Sequence, residues 1–350
     1  MPSLLCSAPG IFSFLICFAA AAGRGGGGVG GGSVGGDRGA ASGGGDKRAN
    51  GTDAPPVVTL AVLLPLRNSS YPWSWSRVGP AVVLALERVN ADPSLGLGRH
   101  RLTYVLASTE DKDGFCSDME AQLQAVDIKL QHDPAAFLGP GCVYSSAPVA
   151  RFATHWRRPL VTAGAPAHGF NNKSGEYGML TRVGPSHVKL GRMAARVHAL
   201  FGWRRKAMLI YSDTNKDDRP FYFTVEGVFM ALRAQDITVV HYTWDEQIIT
   251  SRDVAKAVEN MQRTARVIYV CSSPDAFRRL LLAAKRAGLR LQEFAFLYLD
   301  LFGSGSLSRA PWHRGDEDDE DAKSAFASVL IITYLQPNNS QYEQFISDVQ

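Results

Sequence analysis

The stretch RVIYVCSSPDAFRRLLLAAKRAG, residues Arg266–Gly288, contains one strand, one turn and one helix in order. The strand predicted at Arg266–Val270 is apolar throughout after its first residue, which is typical of a strand buried on both faces of a parallel sheet. Ser273–Asp275 supplies a serine, a proline and an aspartate, which together are a typical helix start. The helix predicted at Ala276–Ala287 ends at Gly288. The stretch therefore predicts a strand followed by a helix that packs on the sheet.

The same alternation of short β-branched runs with helical stretches continues over residues 57–350. Further strands are predicted at Val57–Leu64, Leu102–Ala107, Ala136–Leu138, Leu160–Thr162, Ala207–Tyr211, Ile237–Tyr242, Phe294–Leu299 and Val329–Tyr334. Such alternation predicts an α/β fold with doubly wound parallel sheets. The sequence Val-Gly-Pro opens an amphipathic helix twice, at Val78–Pro80 and at Val183–Pro185, which favours two similar lobes. We place lobe 1 at about 57–160 and lobe 2 at about 161–335.

The N-terminal part of the chain differs from the rest in composition. Residues 1–22 end in the apolar run Ile11–Ala22, which is too short to span a bilayer and predicts a cleaved secretory signal peptide. Residues 23–56 are predicted to be a leader, because Gly23–Lys47 holds 14 of the 34 glycines and almost no apolar side chain. No later run is long enough to cross a bilayer, so we expect membrane anchoring only through segments missing from this chain.

Charge and cysteine usage fit an exported protein. A formal net charge of +4 over 350 residues is modest, and no basic stripe interleaved with aromatics is apparent, so a nucleic acid partner is not expected. Outside the signal, Cys116, Cys142 and Cys271 leave one odd thiol. Four N-glycosylation sequons predict modified asparagines in loops: Asn50, Asn68, Asn172 and Asn338.

The common signatures of catalysis are absent from the sequence. Neither the G-x-S-x-G nucleophile elbow, nor H-E-x-x-H, nor the phosphate-binding G-x-x-x-x-G-K-[ST] motif occurs. The eight histidines are scattered and no C-x-x-C pair is present, so neither a metal site nor a catalytic residue is predicted. A hydrolase of an unrecognised type stays open as an alternative, because sequence alone cannot pair acidic residues across a cleft.

Five segments carry a resemblance to a known family. They are Asn68–Ala81 (NSSYPWSWSRVGPA), Phe137–Tyr144 (FLGPGCVY), Arg158–Ala165 (RPLVTAGA), Val225–Phe229 (VEGVF) and Val267–Phe277 (VIYVCSSPDAF). In this order they resemble the extracellular hormone-binding region of the natriuretic peptide receptors. The resemblance implies a two-lobed, type I periplasmic-binding-protein-like fold and a homodimer that holds one peptide hormone between two protomers at the cell surface. For cyclase-type members it also implies a transmembrane helix and an intracellular guanylate cyclase.

The resemblance also assigns a disulfide and an anion site. Cys116 and Cys142 match the first disulfide of the family. Thr109, Gly141 and Cys142 match a chloride site that is formed by one hydroxyl and two backbone N–H groups. No other cofactor is expected.

Cys271 departs from one branch of the family. Phe221 stands where atrial-type receptors have the cysteine that pairs with Cys271, so we expect Cys271 to be a free, buried thiol. That trait is more similar to the C-type natriuretic peptide receptor, whereas the segment Cys271–Phe277 is more similar to the atrial type. The subtype therefore stays open.

Positions that match the family place the hormone contacts on one predicted helix and its neighbours. The implied contact residues are Asp118, Tyr144, Arg151, Glu176, Tyr177, Tyr222, Phe223, Val225, Glu226, Phe229, His241 and Trp244. Natriuretic peptides carry arginine and phenylalanine in a disulfide ring, so carboxylates and aromatic pockets are complementary to them. Asp213 stands where an atrial-type receptor has an aromatic residue, which weakens the transfer of that contact. For His241 and Trp244, edge packing beyond a strand is an equal alternative.

The helix predicted at residues 220–234 has two apolar stripes. Its core stripe comprises Phe221, Val225, Val228 and Leu232. Its outward stripe comprises Tyr222, Glu226 and Phe229. A helix that packs on one side only does not need the second stripe, which supports a role in binding.

Dimerisation in the family uses helices of the first lobe, and Asp127, His155 and Trp156 match that surface. Three hypotheses of function stay open: a hormone receptor that controls a guanylate cyclase, a clearance receptor without an enzyme, and an ectodomain that binds a small molecule between its lobes. We also expect that the last segment returning to lobe 1 is missing and that the chain folds poorly by itself.

Overall fold

The computed structural model describes residues 55–95, 97–184, 186–213, 218–301, 310–333 and 337–349. The predicted signal peptide, nearly all of the leader and Asn50 lie outside the described residues. The described chain forms two parallel sheets, each flanked by helices. This arrangement confirms the predicted α/β fold with two doubly wound lobes.

Lobe 1 is built on the first parallel sheet. Its elements are β1 (Val57–Leu64), α1 (Trp75–Ala91), β2 (Arg101–Ser108), α2 (Asp118–His132), β3 (Ala136–Leu138), α3 (Val143–His155), β4 (Leu160–Thr162) and β5 (Leu180–Arg182). Short 3-10 helices at Pro93–Leu95 and His168–Asn171 lie in the connections. The strand order is β2-β1-β3-β4-β5, and each neighbouring pair is parallel.

Lobe 2 repeats the strand order of lobe 1. Its elements are α4 (His187–Phe201), β6 (Lys206–Ser212), α5 (Pro220–Arg233), β7 (Thr238–Trp244), α6 (Ser251–Thr264), β8 (Val267–Cys271), α7 (Pro274–Arg286), a 3-10 helix (Leu291–Glu293), β9 (Ala295–Leu299), α8 (Asp319–Phe326) and β10 (Val329–Ile332). The order β7-β6-β8-β9-β10 makes β1 and β6 equivalent, and likewise β3 and β8. The helix α9 (Ser340–Val349) follows.

Every strand predicted from sequence is present: three have the predicted bounds, and the ends of the others differ by at most two residues, with the predicted end Tyr334 outside the described residues. The strand β5 was missed, because only Leu180 of its three residues is buried and the apolar pattern is too short to detect. Since β5 pairs with β4 in the first sheet, lobe 1 extends to Arg182. The predicted lobe boundary near residue 160 is therefore wrong.

Helices cover both faces of each sheet, which explains why the central strands are apolar on both faces. The strands β3, β4 and β8 are buried at every residue. In lobe 2, α4 and α5 pack on one face, and α6, α7 and α8 pack on the other. The crossing of α4 and α5 requires glycine, because a Cβ on Gly227 would lie 2.3 Å from the carbonyl oxygen of His187.

The helix α9 returns to lobe 1. It lies beside α1, and its Asp348 forms an ion pair with Arg88 of that helix. The expectation that the segment returning to lobe 1 is missing is therefore wrong. The contact could not be predicted from an apolar pattern, because α9 has no fully buried residue. Within the described ranges, each helix is either too short or too polar to span a bilayer.

Candidate functional site

Helix α5 of lobe 2 also contacts lobe 1, and its sequence determines which side chains face the core of lobe 2, lobe 1 or the solvent. The helix begins with a proline, after Arg219 in the left-handed region with φ 49°. Val225, Val228 and Leu232 are buried in the core of lobe 2. Phe221 packs half-buried against the same cluster. The predicted core stripe is confirmed.

The outward stripe of α5 meets the edge strand β7. Tyr222, Glu226 and Phe229 are each partly exposed. The ring of Phe229 lies 4.9 Å from that of the exposed His241, centroid to centroid. The ring of Tyr222 lies 6.2 Å from that of Tyr211. Although the residue as a whole is exposed, partial desolvation of its ring lowers the pKa of His241, so the imidazole is neutral at physiological pH. One surface thus brings together a carboxylate, aromatic rings and a neutral imidazole from the predicted contact set.

Phe223 points in a third direction, into lobe 1. It is buried in the apolar cluster that α2 and α3 contribute to. Its ring meets that of Tyr144 edge-on, with 5.5 Å between centroids. Tyr144 is exposed near the start of α3. Phe223 therefore connects the lobes, and Tyr144 extends the candidate surface onto lobe 1.

Arg219 lies at the centre of this surface and was missed at the sequence level. Its Nε donates to Oδ1 of Asp213 at 2.8 Å, and its Nη2 donates to the other carboxylate oxygen. Its guanidinium carbon is 4.0 Å from the centroid of the Tyr222 ring, and its Nη1 donates to the Tyr144 hydroxyl at 3.4 Å. The hydrogen bond with Asp213 raises the pKa of Arg219. The one sign of this arrangement in the sequence was Asp213, which stands where an atrial-type receptor has an aromatic residue.

A second group of contact residues lies on lobe 1. Arg151 forms an ion pair with Glu176, with 2.8 Å between Nη2 and Oε2, and both side chains are about half exposed. The guanidinium carbon of Arg151 is 5.4 Å from the ring centroid of Tyr177. Tyr177 itself is buried, with its ring 4.9 Å from that of Phe170. Asp118 is exposed at the first residue of α2. This group offers charges of both signs and only the rim of one aromatic ring.

Val225 and Trp244 depart from the predicted contact set. Val225 is 2% exposed and faces the core beneath α4 and α5. Trp244 is 5% exposed and faces the core beneath α6 and α7, on the opposite side of the sheet. Neither side chain presents surface to a ligand in this structure. For Trp244 the alternation of side chains along β7 turns the ring inward, in agreement with the alternative of edge packing.

The disulfide Cys116–Cys142 is formed, which confirms the predicted pairing. The Nε1 of Trp73 donates to Sγ of Cys142 at 3.1 Å, and the N–H of Cys116 donates to the Tyr71 hydroxyl at 3.1 Å. The rings of Tyr71 and Trp73 are stacked, with 6.4 Å between centroids. These side chains form a small buried cluster that fixes the loop before α3.

One of the three residues matched to chloride carries a buried hydroxyl. Thr109 is fully buried, and its Oγ1 has no hydrogen-bond partner within the described part of the chain. A Cβ on Gly141 would lie 2.2 Å from the Trp73 ring, so only glycine fits at this turn. Cys142 is the N-cap of α3 and supplies no side-chain cap. A buried hydroxyl and the positive end of a helix dipole whose N-cap side chain makes no cap are features that suit a small anion.

The same helix start receives a carboxylate from lobe 2. Val143, the first residue of α3, donates its N–H to Oδ1 of Asp218, which is 4% exposed. Asp218 directly precedes Arg219, so two consecutive residues of lobe 2 contact Val143 and Tyr144, two consecutive residues of α3. The start of α3 therefore depends on the position of lobe 2.

Cys271 is free and fully buried, as predicted. Its Sγ lies 3.7 Å from the carbonyl oxygen of Leu299, to which the thiol donates. Burial raises the pKa of this thiol, so it stays protonated and unreactive at physiological pH.

The predicted glycosylation residues differ in their surroundings. Asn172 and Asn338 are exposed. Asn68 is half-buried, and its Nδ2 donates to the carbonyl oxygen of Gly114 at 3.1 Å. A glycan on Asn68 would have to replace that hydrogen bond.

The residues matched to the dimer surface lie at the outer side of lobe 1. Asp127 and His155 are exposed. Trp156 is half-buried, with its ring 5.4 Å from that of Phe152, so it packs mainly on its own lobe. The sequence did not single out Met119, Leu123 and Leu130 of α2, although all three are exposed on one helical face.

The structure has two similar lobes, and α5, which contacts both, carries a partly exposed aromatic and acidic face. These features define the class of this protein as a ligand-binding region of receptor type. The family model described as "Receptor family ligand binding region" matches residues 77–350. The chain belongs to this family and is homologous there to the natriuretic peptide receptors.

Several curated relatives support this assignment. Atrial natriuretic peptide receptor 2 of Bos taurus is 43% identical over 297 residues, which cover 82% of this chain and 27% of that protein. The receptor 2 of Homo sapiens is 42% identical over 296 residues, with the same coverage. Atrial natriuretic peptide receptor 3 of Mus musculus is 36% identical over 307 residues, which cover 87% of this chain and 56% of that protein. The chain thus spans only part of the length of these relatives.

Proposed function

We propose that this chain is the hormone-binding region of a natriuretic peptide receptor and that it holds one peptide between two protomers. In the complete receptor, the bound peptide would control an intracellular guanylate cyclase. The observation that carries the proposal is the stripe of Tyr222, Glu226 and Phe229 on α5, which stays partly exposed although its two rings also pack against the core of lobe 2. The relatives named as natriuretic peptide receptors support the choice of ligand.

The chemistry of the surface supports a peptide with arginine and aromatic side chains. Among the described residues Glu226 accepts only one long hydrogen bond, 3.4 Å from the N–H of His168, so its carboxylate can pair with a ligand cation. The rings of Tyr222 and Phe229 supply apolar area next to that carboxylate. Aromatic side chains beside a charged group are the typical centre of a high-affinity interface.

The second part of the proposal is a homodimer formed through α2. Met119, Leu123 and Leu130 are 58%, 52% and 79% exposed. Their spacing of four and seven residues places them on one face of the helix. Exposed large apolar side chains in a row are typical of an interface between proteins. Asp127, matched to the family's dimer surface, lies in the same helix.

The third part is a chloride ion held by Thr109, Gly141 and Cys142. The buried hydroxyl of Thr109, which has no hydrogen-bond partner among the described residues, supports this assignment. A bound anion would satisfy that hydroxyl and stabilise the start of α3 through the helix dipole. Because Tyr144 lies in the first turn of α3, the residues of this chain link the anion site to the peptide surface.

Isothermal titration of the dimeric receptor region with atrial and C-type natriuretic peptides tests the proposal. We expect binding at two protomers per peptide, and a loss of affinity of about tenfold or more for Phe229→Ala, as is typical of an aromatic anchor. The matched control is Ile248→Ala, which truncates an exposed side chain in another part of lobe 2. Absence of binding by both peptides would contradict the proposal.

The competing hypotheses make different predictions. A clearance receptor would bind the same peptides through the same surface, and the complete receptor would then produce no cyclic GMP. For a small-molecule ligand, lobe 1 offers a cavity of about 80 Å³ beside Trp73 and Leu138. That cavity is lined by apolar side chains apart from Thr162, whose hydroxyl donates to Pro140 and accepts from Gly164. An amino acid ligand would find no charge there, which favours the peptide.

A further inference from the structure

One segment of lobe 2 is basic without any acidic residue. Residues 183–212 contain six lysines and arginines and no aspartate or glutamate. All six cations are exposed: Lys189, Arg192, Arg196, Arg204, Arg205 and Lys206. Within the described ranges none of the six forms an ion pair with a carboxylate. We call these six residues the α4 basic face.

The opposite side of lobe 2 shows what a paired surface looks like in the same lobe. On α7, Arg278 pairs with Asp316 and Asp319. On the same helix, Lys285 pairs with Asp321 and Arg286 pairs with Asp318. These carboxylates lie in α8 and in the loop before it. The contrast shows that the α4 basic face is a local property and not a consequence of a generally basic lobe.

The cations of α4 do not serve the helix that carries them. Arg192 and Arg196 are four residues apart, a spacing at which like charges destabilise a helix. Lys189 lies in the first turn, where a cation opposes the helix dipole, and that turn contains no acid. Because these three exposed cations destabilise their own helix, an external anion that binds them would relieve the repulsion.

The arrangement is elongated. At 1.5 Å per residue, Lys189 and Arg196 are about 10 Å apart along the axis of α4, with Arg192 between them. The chain then turns at Gly202, which has a φ of 67°, and Arg204–Lys206 continue the series at the start of β6. Separate cations in a row match a chain of separate anionic groups better than they match a single phosphate.

We propose that the α4 basic face binds a sulfated polysaccharide of the cell surface. Such a chain carries sulfate groups at regular intervals. The proposal rests on the proposed function, in which this hormone-binding region lies outside the cell, where sulfated polysaccharides occur. Clusters of lysine and arginine are the usual protein side of this recognition. The three cations of α4 were missed at the sequence level, because they are three and four residues apart and become one face only in the helix.

Leu200 and Phe201 identify the main competing partner. They are 79% and 56% exposed and lie between the two groups of cations. An apolar tip among cations also suits an anionic lipid surface. The row along the axis of α4 favours the polysaccharide, since a flat membrane would contact mainly the tip.

Affinity for a heparin dodecasaccharide, measured by titration at several salt concentrations, tests the proposal. We expect the triple variant Lys189→Gln, Arg192→Gln, Arg196→Gln to lose about tenfold in affinity and to show a shallower salt dependence, because fewer counterions are released on binding. The triple variant Arg204→Gln, Arg205→Gln, Lys206→Gln is expected to behave in the same way. All six side chains are exposed, and circular dichroism checks that each variant folds.

The matched control removes the same charge from the paired side of lobe 2. The variant Lys285→Gln, Arg286→Gln, Arg290→Gln changes three cations that have carboxylate partners. We expect its heparin affinity to change less than twofold, since these cations are already neutralised. An equal loss in all three variants would show that binding follows net charge alone and would overturn the proposal. Binding of phosphatidylserine vesicles that depends on Leu200 and Phe201, without heparin binding, would also overturn it.

Discussion

The helices α3 and α7 start at equivalent places in the two lobes, and their starts are stabilised differently. α3 follows β3 and α7 follows β8, and the matching strand orders make these strands equivalent. α7 is capped from its own lobe: Oγ of Ser273 accepts from the N–H of Ala276 at 3.2 Å. The N–H of Ser273 donates to Oε1 of Glu246 at 2.8 Å. Asp275 adds a favourable charge in the first turn.

The start of α3 has none of these features. Cys142 supplies no side-chain cap, and the first turn contains no acid. The carboxylate of Asp218 comes from lobe 2 instead, and in our proposal a chloride ion completes the site. A helix that lacks its own cap thus marks the place where lobe 1 depends on lobe 2 and on an ion. That place lies next to Tyr144 and the proposed peptide surface.

The disulfide gives the largest expected difference between the two helix starts. Replacement of Cys116 and Cys142 by alanine should lower the free energy of unfolding by about 3–4 kcal/mol, because the loop that the disulfide closes becomes free in the unfolded chain. Urea unfolding under non-reducing conditions measures this loss. In lobe 2, Cys271 ends the strand before α7, and Cys271→Ala removes only a buried thiol and should cost clearly less. Equal losses would contradict the comparison.

A third helix start, that of α4, sharpens the comparison through pH. His187 is its first residue, and burial lowers the pKa of this side chain to about 4, with Arg182 acting in the same direction. His187 therefore binds a proton near pH 6.5 in the unfolded chain but only near pH 4 in the folded chain. Stability should be complete above pH 6.5 and should fall by about 3 kcal/mol as the pH decreases to 4.

Urea unfolding across this pH range measures the slope. His187→Gln should remove most of the slope, whatever its effect on stability at pH 7. His198, whose pKa burial also lowers, contributes to the slope with the same sign and serves as the comparison variant, His198→Gln. A slope that is unchanged in His187→Gln would contradict the assignment.

The sequence predicted the parts of this structure that rest on local patterns. The strands follow from their apolar runs, and the outward stripe of α5 follows from the spacing of Tyr222, Glu226 and Phe229. The strand β5 and the lobe boundary were missed, because a short strand with one buried residue has no detectable period.

The parts that were missed at the candidate site depend on contacts between distant residues. Asp218 and Arg219 lie 75 residues from their partners Val143 and Tyr144 in the sequence. Neither residue belongs to a periodic pattern, since both precede α5 in irregular chain. Similarly, the burial of Trp244 depends on which face of the sheet its ring meets, and the sequence left that choice open.

Removal of the hydrogen-bond acceptors at the starts of α3 and α7, Asp218 and Ser273, gives the next largest effect on the free energy of unfolding. Asp218→Ala leaves the buried N–H of Val143 without its acceptor and should lower the free energy of unfolding by about 2 kcal/mol. Ser273→Ala removes an ordinary N-cap and should cost about 1 kcal/mol. Urea unfolding measures both values. In addition, Asp218→Ala should weaken peptide binding, because it frees α3 from lobe 2, whereas Ser273→Ala should leave it unchanged. Weaker binding in Ser273→Ala alone would reverse the comparison.

The smallest expected effect concerns the ion at the start of α3. Thr109→Val keeps the shape of the side chain and removes the buried hydroxyl that has no partner within the described residues. If that hydroxyl binds chloride, the variant should show an apparent chloride affinity about tenfold weaker than that of the wild type, the value of one hydrogen bond to a charged group. The measurement is the rise in unfolding free energy when sodium chloride replaces sodium gluconate at constant ionic strength.

Without chloride, the same variant should be at least as stable as the wild type, because valine removes an unsatisfied buried polar group. Ser273→Ala is the matched control, since α7 carries its own cap and its variant should keep the chloride dependence of the wild type. Identical chloride curves for wild type, Thr109→Val and Ser273→Ala would remove the ion from the proposal. The start of α3 would then depend on Asp218 alone, and its coupling to Tyr144 would be a matter of lobe position only.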